Sequence, residues 1–196
     1  MTMNRSHNIN LQGLTFLVSD ANSFSSSLCQ SILRGFEAGK ILEVHNGVDA
    51  LKALQQTRID LLLCDSRLPP FNGFELTRRI RKSEASDYRT IPIVVLTNDT
   101  RITTIGRARD CGANIVIAKP MSPKILYDRL TWVAQTPRKF IDAPSYFGPD
   151  RRFKIEGFPG GVGRRKSDLV TEISEDAGPA LDQGEIDSLF NVVRSG

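Results

Sequence analysis

Four polar residues in this 196-residue chain stand at the ends of apolar runs, and their types suit one kind of chemistry. Asp20 follows Leu14–Val18 and Ser19, and Asp65 follows Ile59–Cys64. Thr97 follows Ile91–Leu96, and Lys119 follows Ile115–Ala118. Two carboxylates can hold one Mg2+, a hard cation that takes few protein ligands and keeps several waters. A carboxylate beside that metal is a nucleophile for phosphoryl transfer, because the metal neutralises charge on the incoming oxygens. A lysine pairs with those oxygens as a point charge. A threonine hydroxyl can hydrogen-bond the remaining one. The set describes a site at which an aspartate becomes phosphorylated.

The elements that must position these groups are legible in the patterning. The four runs, with Ile41–Val44 as a fifth, are short, rich in Val, Ile and Leu, and lack polar alternation. That is how a strand buried on both faces reads. The segments between them have helical spacing, as in Phe24, Leu28, Ile32 and Phe36, or Ile125, Leu126, Leu130 and Val133. Ser23, Asn46 and Ser122 stand where helix N-caps are expected. Five strands alternating with five helices predict an α/β fold with a doubly wound five-stranded parallel sheet, flavodoxin-like, in the order 2-1-3-4-5. Strand three then lies between strands one and four, so the polar groups converge on Asp65.

The segments FLVSDAN (16–22), LLLCDSRLPPFNGFEL (61–76), IPIVVLTND (91–99) and GANIVIAKP (112–120) together resemble response-regulator receiver domains of the CheY-like family. The resemblance spans 13–135, the expected receiver domain. It implies that Asp65 is the phosphoacceptor and that Asp20 binds Mg2+ with Asp65 and the backbone carbonyl of Arg67. It implies that Thr97 is the switch hydroxyl and that Lys119, followed by Pro120 in a cis bond, is the family's lysine. Two positions depart from the family pattern. Ser19 stands where a second acidic residue is usual, which predicts weaker Mg2+ binding and leaves room for a phosphorylation-independent pseudo-receiver. Val116 replaces the aromatic switch residue.

Beyond Thr136 the composition changes. Residues 137–196 hold 5 of the 10 prolines and 8 of the 15 glycines, so 136–180 is expected to be an extended, largely irregular arm. Charge is laid out in blocks: 1–136 carries 17 basic and 12 acidic residues, 137–166 carries 8 and 3, and 167–196 carries 1 and 7. Within the basic block, Arg151, Arg152, Arg164 and Arg165 suit an anionic ligand. The pattern resembles the arginine-rich extensions of CheY-like proteins that bind cyclic di-GMP and act on flagellar motors. Residues 181–193 are expected to close the chain as a short amphipathic helix, capped by Asp182 with Glu185 three residues on. Leu181–Phe190 is similar to the N-terminal peptide of the flagellar switch protein FliM, which docks as a helix on a CheY surface. Docking onto this same chain would place its acidic block near Arg101, Arg107 and Arg109 of helix four.

Several function classes are excluded by what is missing. No apolar run approaches the ~18 residues a membrane span needs, and Met1–Asn10 has no apolar signal region. Cys29, Cys64 and Cys111 show no metal or disulfide spacing and fit a reducing cytoplasm, with Cys64 expected as a small buried hydrophobe. His7 and His45 are isolated. Arg78, Arg79, Arg81 and Lys82 are expected to form a solvated helix face. The tail lacks the apolar content of a DNA-binding domain. The expectation is a stand-alone, cytoplasmic phosphoacceptor. A sensor histidine kinase would serve it, and it would signal by protein contact to a downstream chemotaxis or flagellar-motor component. No enzymatic activity is expected beyond gaining and losing the phosphoryl group.

Overall fold

The computed structural model describes residues 9–84, 86–150 and 180–190. Strands β1 (Thr15–Ser19), β2 (Lys40–Val44), β3 (Leu61–Asp65), β4 (Ile93–Thr97) and β5 (Ile115–Ala118) form one parallel sheet in the order β2-β1-β3-β4-β5. This is the expected doubly wound order. β3 and β4 are buried along their whole length, as their unbroken apolar sequences require. Helices α1 (Ser23–Gly35), α2 (Gly47–Gln56), α3 (Gly73–Lys82), α4 (Ile102–Asp110) and α5 (Pro123–Gln135) make the crossovers.

Helix starts follow local chemistry. Asn46 and Ser122 cap α2 and α5 as expected, each accepting a backbone N–H from the third residue onward. The cap of α1 is Asn22 rather than Ser23, because the amide oxygen of Asn22 takes the N–H of Ser25 at 2.9 Å and Ser23 becomes the first helical residue. The inward face of α1 also differs from its sequence pattern. Ile32 is buried with Cys29 and Leu33, whereas Phe24 is 78% exposed and Leu28 41%. Packing therefore rests on the C-terminal half of the helix, and its N-terminal apolar residues face solvent.

The basic cluster of α3 divides in the same way. Arg79 reaches solvent beside Glu75, but Arg81 is 2% exposed. Its guanidinium donates to the carbonyls of Gly112 (3.0 Å) and Arg89 (2.7 Å) and to Asn114 Oδ1 (3.1 Å). The expected solvated face is corrected at this residue: a buried cation is tolerated because its donors are matched. Desolvation lowers its pKa to about 10, which leaves it charged at neutral pH.

The arm begins with structure where irregular chain was expected. Strands β6 (Phe140–Ala143) and β7 (Tyr146–Pro149) pair as an antiparallel hairpin. The ring of Phe147 lies 3.4 Å under the guanidinium carbon of Arg89, and Phe140 packs near Arg81. Gly112, with φ +95°, lets the hairpin in: a Cβ there would meet the Phe147 carbonyl oxygen at 3.1 Å. A sixth helix, α6 (Gln183–Leu189), carries the capping box expected of Asp182 and Glu185. Ile186 and Phe190 are fully buried, part of the same core as the sheet.

Candidate functional site

The register of the sheet brings the strand ends level. Ser19 pairs with Cys64, Asp65 with Leu96, and Thr97 with Ala118. Asp20, Asp65, Thr97 and Lys119 therefore share one edge, at the carboxyl ends of the strands. The α3 start must come close to that edge. Gly73 permits it, since a Cβ there would fall 2.2 Å from the Asp65 carbonyl oxygen.

Lys119 joins the two carboxylates. Its Nζ donates to Asp20 Oδ2 at 2.7 Å and to Asp65 Oδ2. The second oxygen of each carboxylate accepts a backbone N–H: Asn22 to Asp20 (2.9 Å) and Arg67 to Asp65 (2.5 Å). Asp20 is 2% exposed and Asp65 5%. Two anions at this depth need a cation between them, and Lys119 supplies it. The Lys119–Pro120 bond is cis. A cleft of about 300 Å3 opens over the site, lined by Asp65, Arg67, Asn98, Lys119 and the exposed Phe24 and Leu28.

The hydroxyl side of the site holds residues that the sequence did not single out. Ser66 Oγ donates to Thr97 Oγ1 at 3.0 Å. Thr97 Oγ1 in turn accepts the Asp99 N–H (3.0 Å) and donates to the Asp99 carbonyl (3.2 Å). Asp99 is clamped by Arg101 and Thr104. The Arg101 guanidinium is the main cause that holds the Asp99 carboxyl well below the usual carboxylate range. Ser66 follows Asp65 directly, so its position was available as a signal. Asp99 two residues beyond a strand-end threonine carries no such mark.

The donor set fits a hard divalent cation. Asp20 and Asp65 offer carboxylate oxygens at the mouth of an apolar sheet, and Ser19 Oγ beside them is buried without a hydrogen-bond partner. An orphaned hydroxyl at such a place suits a metal-bound water. Among the described residues no group of three or more His, Cys, Asp or Glu side chains could hold a metal, so a third ligand must come from backbone, such as Arg67, or from water. Val116 is fully buried in β5, with no aromatic ring at that position to answer a movement of Thr97.

The three cysteines are buried and free. Burial is the main cause that pushes the Cys29 thiol up to about 12 and Cys111 to about 11, and it raises Cys64 as well. None is a ready nucleophile. Arg151, Arg152, Arg164 and Arg165 lie outside the described residues. No helix among the described residues is long and apolar enough to cross a membrane.

Residues 16–131 match the family model of the response regulator receiver domain, and the chain belongs to that family. It is 33% identical over 104 residues to the CAI-1 autoinducer sensor kinase/phosphatase CqsS of Vibrio cholerae serotype O1, covering 53% of this chain and 15% of that kinase. It is 27% identical over 124 residues to a chemotaxis protein CheY homolog of Campylobacter jejuni, covering 63% of this chain and 94% of the relative. Among solved structures it resembles the receiver domain of sensor histidine kinase PA1611 from Pseudomonas aeruginosa, with a magnesium ion coordinated in its active-site cleft. The TM-score is 0.57 and the identity 28%, over 62% of this chain and 98% of that one.

Proposed function

We propose that this chain is a phosphoacceptor receiver, phosphorylated on Asp65 by a sensor histidine kinase, that signals by protein–protein contact. The observation that carries this is the Asp20–Lys119–Asp65 bridge beneath an open cleft, with Ser66 and Thr97 on its flank. An Asp65 oxygen attacks phosphorus, the bond to the donor's histidine nitrogen breaks, and the nitrogen leaves with the electron pair. Mg2+, held by Asp20, Asp65 and the Arg67 carbonyl, would neutralise the phosphoryl oxygens. Lys119 then exchanges an Asp65 oxygen for a phosphoryl oxygen, and Thr97 donates to another. Exposed Phe24 and Leu28 beside the cleft support docking of an apolar donor surface. We place the chain in the cytoplasm, with a chemotaxis or motility component downstream. The test is labelling by acetyl phosphate with and without Mg2+. Asp65→Asn should abolish it, and Asp20→Asn should raise the Mg2+ requirement. Undiminished labelling of Asp65→Asn refutes the assignment, and absence of labelling in the native chain favours the pseudo-receiver alternative.

A second reading concerns the arm. The +5 charge of residues 137–166, 8 basic against 3 acidic, supports binding of an anionic ligand such as cyclic di-GMP through Arg151, Arg152, Arg164 and Arg165. Calorimetric titration with the full chain and with all four arginines changed to Gln checks it. Equal affinity in both excludes the arm as the site.

A further inference from the structure

Ser66 and Thr97 form a cross-strand pair at the mouth of the sheet. A bond from the Ser66 N–H to the Leu96 carbonyl (2.8 Å) carries the β3–β4 ladder one residue past Asp65. The Ser66 carbonyl accepts the Gly73 N–H at 3.1 Å, so its backbone is held from both sides. Its hydroxyl is buried and donates to Thr97 Oγ1 at 3.0 Å. The neighbour of Thr97 on the other strand is Ala118 of β5, whose methyl has no polar atom. Ser66 is therefore the hydroxyl that the sheet itself presents to Thr97.

A threonine hydroxyl has one proton and two lone pairs. In Thr97 all three are committed. The lone pairs take the Ser66 hydroxyl and the Asp99 N–H, and the proton goes to the Asp99 carbonyl at 3.2 Å. The frame around this side chain is fixed. Asp99 is tied to Arg101 and Thr104. The Leu181 N–H donates to the Thr100 carbonyl at 3.0 Å, and Ala180 bridges Arg101. On the β5 side Gln183 stands in for a sixth strand: Oε1 accepts the Ala118 N–H at 2.8 Å and Nε2 donates to the Val116 carbonyl at 3.1 Å. Asp187, one turn on, pairs with Arg129 of α5, where the arginines of α4 were expected. With strand, loop and α6 held, a response of Thr97 comes down to rotation about its Cα–Cβ bond.

Asp65, Arg67 and Asn98 line the cleft, and strand alternation turns Ser66 and Thr97 aside from it. To donate to a phosphoryl group on Asp65, the Thr97 hydroxyl must swing over the strand end. Ser66, fixed through both backbone groups, does not follow. We propose that Ser66 is a positioning residue that holds the Thr97 hydroxyl aside from Asp65 until a phosphoryl group draws it over. This rests on the phosphoacceptor reading of Asp65. The swing breaks the Ser66 bond and leaves that hydroxyl buried without its acceptor, which is unfavourable. Ser66 therefore weakens the hold of the site on a phosphoryl group.

The experiment uses the full chain with beryllofluoride and Mg2+ as the phosphoryl probe. Fluorine NMR reads probe binding, and hydrogen exchange at the Asp99 amide reads the resting orientation of Thr97. Ser66→Ala removes one oxygen and should bind the probe about fivefold more tightly, the factor that one hydrogen bond of ordinary net strength sets. Its Asp99 amide should exchange faster by a similar factor, since the acceptor Thr97 Oγ1 is no longer held. Thr97→Val should bind the probe more weakly than the native chain. In that background Ser66→Ala should change affinity by less than about twofold, because the two residues act as one unit. Unchanged or weaker probe binding in Ser66→Ala overturns the proposal. So does a fivefold gain that persists in Thr97→Val, which would show that Ser66 does not act through Thr97. A missing bound fluorine signal in the native chain refutes the phosphoacceptor reading, and the Asp99 amide then still decides the hold on Thr97: equal exchange in the native chain and Ser66→Ala overturns it.

Discussion

The buried pair of Arg129 and Asp187 permits a quantitative test of how α6 is held. Their side chains are 8% and 1% exposed, and two hydrogen bonds join them. Removing one partner of such a pair costs about 3–5 kcal/mol, because the other charge stays buried without compensation. Here there is an escape. α6 has seven residues and can lift away as a unit, after which Arg129 regains water. The measured cost is then capped at the free energy of docking if the sheet stays folded once α6 lifts. Replacing both charges by apolar side chains of similar size is often neutral. Asp187→Leu and Arg129→Met alone should therefore each lower stability by roughly 2–4 kcal/mol. The double variant should return to within about 1 kcal/mol of the native chain, a coupling of about 3 kcal/mol or more. Urea unfolding followed by the fluorescence of Trp132, the chain's single tryptophan, supplies the numbers. Strictly additive losses would refute the claim that the two charges need each other.

Three further outcomes follow from the site. Ser19→Asp adds a third carboxylate and should tighten Mg2+ binding on the order of tenfold, since ligand charge count sets the affinity of such sites; calorimetry showing no gain would separate Ser19 from the metal. Lys119→Met leaves Asp20 and Asp65 without their shared cation and should cost about 3 kcal/mol at neutral pH, partly recovered by millimolar Mg2+; equal stability with and without the lysine contradicts its bridging role. The thiols should resist iodoacetamide in the folded chain. Their folded-state pKa values lie above the ordinary value of 9.0, with Cys29 at about 12 and Cys111 at about 11. Above about pH 9 the unfolded chain loses protons that the folded chain retains, so stability should decline as pH rises from there toward 11; a flat alkaline profile, or stoichiometric labelling of native protein, goes against their burial.

The sheet was legible because doubly buried strands leave unbroken apolar runs, and the order of Asp20, Asp65, Thr97 and Lys119 at their ends follows from parallel topology alone. The cap of α1 shifted by one residue because Asn22 and Ser23 are both competent caps, and the choice rests on which side chain reaches Ser25. The hairpin was missed for a physical reason. Its four-residue strands include Gly148 and Pro149, which argue against strand. Their pairing is stabilised by Arg81 and Arg89 from distant parts of the chain, contacts with no local trace. Arg81 itself looked like its solvated neighbours, because charge type does not reveal which way a helix is turned. The terminal helix was visible as a capped stripe, but Gln183 was not. A glutamine that substitutes for a peptide group has no signature until the strand beside it is in place.

The margins of the sheet are protected by different means. β2 carries exposed Lys40 and Glu43, charges that discourage another strand from adding alongside. β5 reads Ile-Val-Ile-Ala, without a charge, and is closed by the Gln183 amide instead. A bare strand of that composition recruits others. Any condition that lifts α6 therefore also exposes a template for sheet extension, and two such molecules could join edge to edge into a ten-stranded sheet. Solubility at high concentration thus becomes a property of two turns of helix, and a substitution at Gln183 should show itself in light scattering.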